Sequence, residues 1–259
     1  MSAAAWGLAQ CAVPRANAEI AALRDRERTS RLARSGIPAR FASARPWDPC
    51  GAGDALLSLG SRRAEAKSRL DGLNLRSRQA RMGLADEPSE AELDAAWDEF
   101  EALSGANLLI CGPSGTHKTH TAATIAMSAL ERGMSVWMVG VGELAAMAKS
   151  GFGDAGSEDP VARARSVDLL VLDDLGKGTT SNWLVSDLLF RIADGRYDDV
   201  TPTIVTTQCE SAEALAKSLG RGGADPDGVR ALMRRLLEGS MVLNTGTGTL
   251  GRMGVAHEG

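Results

Sequence analysis

The chain has 259 residues, 44% of them hydrophobic and 24% charged. These proportions are ordinary for a soluble globular protein, and the length suits one large α/β domain with a small appendage. No run approaches the ~18 consecutive apolar residues of a membrane span. Residues 1–10 have no basic run ahead of their apolar stretch, so neither a membrane partner nor a signal peptide is expected. The net charge of −4 hides an asymmetry: residues 1–81 hold 15 Arg or Lys against 7 Asp or Glu, a formal +8, which leaves −12 for the remainder. That split points to a basic arm for nucleic acid, to an acidic partner surface, or to a solvated basic helix. Cys11, Cys50, Cys111 and Cys209 lack C-x-x-C spacing, which argues against a zinc site or a disulfide framework and fits a reducing cytoplasm.

In chain order, residues 17–34 predict a helix with a thin apolar stripe among five arginines, suited to docking on a partner or on another part of the chain. Ser35-Gly36-Ile37-Pro38 ends it. Residues 42–61, with Pro46, Pro49, Gly51, Gly53 and Gly60, read as a loop with a short turn of helix. Residues 62–81 predict a strongly basic helix and 89–103 an acidic one, opened by Ser89 and Glu92 as a capping box. The two helices can pair electrostatically. From 107 strands alternate with helices, the pattern of a parallel sheet. Strands are expected at 107–111, 135–139, 168–174 and 203–208. Helices are expected at 118–132, 142–149, 161–166, 181–195, 211–219 and 228–238. Residues 150–160 and 220–228 read as loops, and the tail from Val242 carries two strand-like pieces.

The chemistry concentrates at Gly112-Pro113-Ser114-Gly115-Thr116-His117-Lys118-Thr119, followed by His120. An apolar strand, a Gly-rich turn, Lys-Thr and a helix make a phosphate-binding loop, in which backbone N–H groups and the helix N-terminus converge on phosphates. Lys118 is expected on the β- and γ-phosphates and the Thr119 hydroxyl on Mg²⁺. His117 stands where this motif has Gly. His is enriched among non-Gly residues at positive φ, so the loop can persist; the alternative is a loop decayed towards weak ATP use. Asp168–Asp174 is an apolar strand that ends in two carboxylates, at the sheet edge where ligands bind. Asp173 is expected to hold Mg²⁺, directly or through water, and Asp174 to polarise the attacking water.

Residues 107–239 resemble an AAA+ ATPase of the bacterial and phage replicative helicase-loader type (DnaC-like), which is related to IstB-like transposase-helper ATPases. The matching stretches are 112–120, 168–176, Arg196-Tyr197, 202–208 and 234–239, with Ser35–Phe41 similar to the segment ahead of the ATPase core. The resemblance implies a P-loop parallel sheet flanked by helices (105–259), a helical linker (61–104) and an N-terminal partner-binding region (1–60). It implies ATP and Mg²⁺ as ligands, a hexameric replicative helicase as partner, self-association through the ATPase domain, and single-stranded DNA as a further ligand. Gln208 falls at the sensor 1 position, usually Asn. Arg235 falls at the position of the arginine finger that reaches a neighbour's ATP, with Arg234 the near alternative. His117 for Gly, Asp174 for Glu and Gln208 for Asn imply slow hydrolysis, with ATP used as a switch.

Overall fold

The computed structural model describes residues 22–23, 25–42, 51–102, 107–150, 159–178, 180–247 and 249–252. Cys11, Cys50, half of the expected partner-binding region and most of the loop at 150–160 lie outside them.

Six strands form one sheet: β1 (Leu108–Cys111), β2 (Val136–Gly140), β3 (Leu169–Asp173), β4 (Thr203–Thr206), β5 (Met241–Asn244) and β6 (Thr249–Arg252). Their order is β2-β3-β4-β1-β5-β6. All neighbouring pairs are parallel except the hairpin β5–β6. The first five strands are short apolar runs because helices cover both faces. Alternation along β1 splits the core. Leu109 and Cys111 face one side with Trp137, Val139, Leu170, Leu172 and Val205. Leu108 and Ile110 face the other with Met138, Val171, Ile204 and Leu243.

On the second side lies α4 (Lys118–Glu131), together with the first turns of α2 (Ala52–Arg81). The first side is covered by α5 (Val141–Ser150), α6 (Pro160–Ser166), a π-helical segment (Trp183–Leu189) running into α7 (Phe190–Asp199), α8 (Ala212–Arg221) and α9 (Pro226–Leu237). β1 lies between β4 and β5: the connection that leaves it runs to β2 on one side, and the β4-to-β5 connection crosses it to the other. An open α/β sheet has its ligand crevice at the carboxyl end of such a strand.

The N-terminal segments dock on this sheet. Helix α1 (25–34) ends at Gly36, whose φ is +68°. Beyond it the Met138 N–H donates to the Ser35 carbonyl at 2.7 Å, so the segment lies along the edge strand β2. The expected loop over 42–61 is corrected for its described part: α2 is a single 30-residue helix starting at Ala52. Of the glycines that suggested a loop, Gly51 precedes α2 with φ +66° and the other two are packing positions. Gly53 and Gly60 are buried with Ala52, Leu56, Leu57 and Ala66, and a Cβ on Gly60 would already touch Pro202 at 3.4 Å. Residue 60, the expected domain boundary, therefore falls inside a helix. Helix α3 (Glu90–Ala102) runs back antiparallel along α2. Its capping box is formed: the Ser89 N–H donates to Glu92 Oε2 at 2.8 Å and the Glu92 N–H to Ser89 Oγ at 3.3 Å. These bonds from Ser89 hold the Glu92 carboxyl below its ordinary range.

One buried cation ties the edge opposite the phosphate loop. Arg196 is 2% exposed. Its Nε donates to Thr203 Oγ1 at 2.9 Å, Nη1 to the carbonyls of Ala164 (2.8 Å) and Val167 (2.7 Å), and Nη2 to Pro202 O at 2.5 Å. Burial pushes its pKa down to about 9, still protonated at neutral pH. Removal of the guanidinium takes the side-chain donor from the Ala164 and Val167 carbonyls, while Pro202 O keeps only the Leu170 N–H at 3.3 Å. Arg196→Met is expected to lower the unfolding free energy by about 3–5 kcal/mol, measured by urea denaturation. A loss within about 1 kcal/mol would mean that the network is not a fold determinant.

Candidate active site

The loop Gly112–His117 leaves the end of β1 and enters α4 at Lys118. Its backbone is left-handed at Gly115 (φ +85°) and at His117 (φ +62°, ψ +21°). The residue standing in for Gly thus adopts the conformation that Gly serves, at an intrinsic cost of about 1–2 kcal/mol. A Cβ on Gly112 would fall 2.6 Å from Thr245 Oγ1, so only Gly fits there. Thr245, just after β5, holds the loop from behind. Its N–H donates to Cys111 O at 2.9 Å, and its hydroxyl lies within hydrogen-bond distance of Cys111 O (3.0 Å) and of Thr116 Oγ1 (2.6 Å), donating to one of them. Among the exposed loop residues are Pro113, Ser114 and His117, whereas Lys118 is buried.

Lys118 Nζ donates to Pro113 O at 2.6 Å, so the ammonium points back into the concavity of the loop. Burial lowers its pKa, and the carboxylates of Asp174 and Asp173 oppose that shift. The groups fit a nucleotide triphosphate: backbone N–H groups at a helix start, one buried cation over them, and two acids across from it. Thr119 Oγ1 donates to Asp173 Oδ1 at 3.0 Å. A hydroxyl and a carboxylate in contact are the donor set that holds Mg²⁺ beside phosphates.

The strand ends complete the arrangement. Thr206 at the end of β4 donates to Asp173 Oδ1 at 2.6 Å and accepts from the Asp174 N–H at 2.9 Å. Asp174 sits just past β3 with φ +61°. Gln208 Nε2 reaches Asp174 Oδ1 at 3.4 Å and Lys177 Nζ reaches Oδ2 at 3.0 Å. On the outer side of the loop, the His117 and His120 rings lie edge to face at 6.3 Å, and His120 lies likewise on Phe41 at 5.5 Å. The structure therefore brings together the loop 112–120, Thr119, Asp173, Asp174 and Gln208.

Arg235 is not with them. It neighbours Leu236, whose carbonyl accepts from Asn107 Nδ2 at 2.9 Å, at the start of β1. The loop begins at the other end of that strand, about 16 Å away at ~3.3 Å per residue. Arg235 is instead bound to Asp194, and Arg234 to Glu238. Thr206 and Thr245 escaped the sequence analysis. Thr206 was legible only as a polar group at the end of a strand, and Thr245 carried no local signal.

A family model described as IstB-like ATP binding protein matches residues 100–251. The replicative helicase loader DnaC of Escherichia coli (strain K12) is 34% identical over 125 residues, 48% of this chain and 50% of that protein. An insertion sequence ATP-binding protein of Sinorhizobium fredii is 32% identical over 114 residues, 44% of this chain and 38% of that protein. The chain thus spans half or less of the length of the relatives it matches. Among solved structures, the DnaC helicase loader is 23% identical with a TM-score of 0.43, covering 53% of this chain and 76% of that one.

Two outcomes check the loop. Lys118→Ala is expected to abolish ATP binding in a fluorescent-nucleotide titration, because it removes the main positive charge on the β/γ-phosphates; unchanged affinity would overturn the assignment. His117→Gly is expected to leave binding intact or to strengthen it by relieving the left-handed strain. A severalfold weaker affinity would make His117 a ligand contact in its own right.

Proposed function

This chain belongs to the family of IstB-like ATP binding proteins, and from that membership and the geometry of the loop we propose that it is a slow Mg²⁺-dependent ATPase that loads or remodels a replicative DNA helicase. The observation that carries the ATPase reading is the contact of Thr119 with Asp173, next to Asp174 and beneath Lys118. Backbone N–H groups and Lys118 bind and orient the phosphates. Thr119 and Asp173 hold the metal, which screens phosphate charge when bound. Asp174 orients a water for in-line attack and Gln208 fixes that carboxylate. Asp174 is one methylene shorter than Glu and tethered on both oxygens, which supports slow turnover and a switching use of ATP. Arg235, on the far edge of the sheet, serves the nucleotide of a neighbouring copy.

The helicase partner rests on the similarity to the DnaC loader. The family match and the S. fredii relative favour a second reading, a helper ATPase of a transposase acting on DNA directly. Asp174→Asn is expected to retain ATP affinity and to lose about 10²-fold or more of turnover. Turnover at the uncatalysed background in both proteins would leave a nucleotide-binding adaptor, and equal turnover above it would remove Asp174 from the chemistry. ATP-dependent co-elution with a purified hexameric replicative helicase supports the loader. Salt-resistant duplex binding without that co-elution overturns it in favour of the transposition helper, since phosphate contacts weaken steeply with salt.

A further inference from the structure

Arg235 projects from the last turn of α9 and is held at two places. Its Nε donates to Asp194 Oδ1 of α7 at 2.8 Å, and its guanidinium lies over the Tyr197 ring, 4.5 Å from the centroid. Among the described residues these are its contacts, and its side chain is 32% exposed. A guanidinium bound through Nε and stacked on one face keeps its Nη1/Nη2 edge for a bidentate acceptor. Asp194 and Tyr197 sit one turn apart on α7 (i, i+3), so both come from a single helix face. Tyr197 is itself fixed: its ring also faces the buried Arg63 of α2, at 5.7 Å.

We propose that Asp194 and Tyr197 are positioning residues that hold Arg235 with its Nη fork turned outward, to take a terminal phosphate oxygen of ATP bound to a second copy of this chain. The inference rests on the ATPase reading. Its geometric basis is that the fork and the chain's own phosphate loop lie at opposite ends of β1. The carboxylate steers the guanidinium and lies on its inner edge, away from the incoming phosphate. Loss of either contact frees a long side chain to sample many rotamers, so the effect falls on turnover more than on nucleotide binding.

The test uses the full-length chain and ATP. Asp194→Asn keeps the volume and an acceptor but loses the charge. Asp194→Ala loses both, and Asp194→Glu keeps the charge. The turnover number is expected to fall roughly tenfold or more in Asp194→Ala, less in Asp194→Asn, with partial recovery in Asp194→Glu. Nucleotide affinity and assembly by light scattering should stay as in the wild type. Mixing then separates the positioning role of Asp194 from the action of Arg235 between copies. Arg235→Ala protein has an intact loop and Lys118→Ala protein an intact fork, so their mixture is expected to regain activity, whereas Lys118→Ala/Asp194→Ala is expected to restore far less. Equal restoration by the double variant overturns the positioning role while the action between copies stands. No restoration by Lys118→Ala itself overturns that action, and undiminished turnover in Arg235→Ala overturns the fork altogether.

Discussion

Asp173 accepts hydrogen bonds from hydroxyls on two different elements, Thr119 in the first turn of α4, which follows β1, and Thr206 at the end of β4. This double contact requires β3, β4 and β1 to be adjacent, parallel and in one register. The pairing supplies that: Leu172 is opposite Val205 and Ile110 opposite Thr206, which sets Asp173, Thr206 and Ile110 in one row across the sheet. A slip of one residue in β3 would turn the carboxylate to the other face. It would also send the alternating side chains Leu170 and Leu172 out of one core and into the other. The apolar packing on both faces therefore sets the register on which the site depends.

The same edge stores backbone strain. Among the described residues, three non-Gly positions have left-handed φ: His117, Asp174 and Val200. Two of them are site residues, and each is fixed from its neighbours. The His117 carbonyl accepts from the N–H and hydroxyl of Thr121 in the first turn of α4, and the Asp174 N–H is bound to Thr206. Such conformations persist where surrounding structure over-determines them. Asp174 is turned by this backbone towards Lys177 and Gln208, so the shorter carboxylate occupies a defined place.

Local features were legible in the sequence, and features made by distant segments were not. The strand–loop–helix at 107–132, the acids closing β3 and the Ser89–Glu92 cap are each contained in a few residues, so periodicity and spacing reveal them. His117 at positive φ was legible for the same reason, because the motif fixes the conformation at its position. Gly60 misled because its role is close packing of a helix against Pro202, 142 residues further on, and Gly53 because it is buried in the first turn of that helix. Thr245 meets the loop only because β5 pairs with β1. Asp194 is an ordinary acid on an amphipathic helix until α9 is packed beside it. The π-helical segment 183–189 keeps nearly the apolar spacing of an α-helix, so the pattern of Trp183, Leu184, Leu188 and Leu189 does not distinguish the two.

Charge patterning needs the same correction by three-dimensional pairing. The formal +8 of residues 1–81 suggests a strongly basic surface, yet part of it meets acid within the chain. Arg69 pairs with Glu99 of α3 and Arg28 with Glu131 of α4, whereas Asp54 of α2 is taken up by Arg132 from outside the segment. These pairs are solvent-exposed, and such pairs contribute about 0–1 kcal/mol each; they orient helices more than they stabilise them. Stability in the α2–α3 hairpin comes from the burial of Ala66, Leu70 and Ala96 and from Arg63 lying over Phe100. Burial of α2 ends at Leu70. Beyond it Leu75, Met82 and Leu84 are exposed among Arg76, Arg78 and Arg81. At this outer end of the hairpin those arginines lie beside the acidic start of α3, Glu90 and Glu92, and the charge of Arg76 acts on the Glu92 carboxyl. Towards its inner end the same helix places Arg63 over the Tyr197 ring on which Arg235 also rests, so the packing of α2 bears on the guanidinium through that ring.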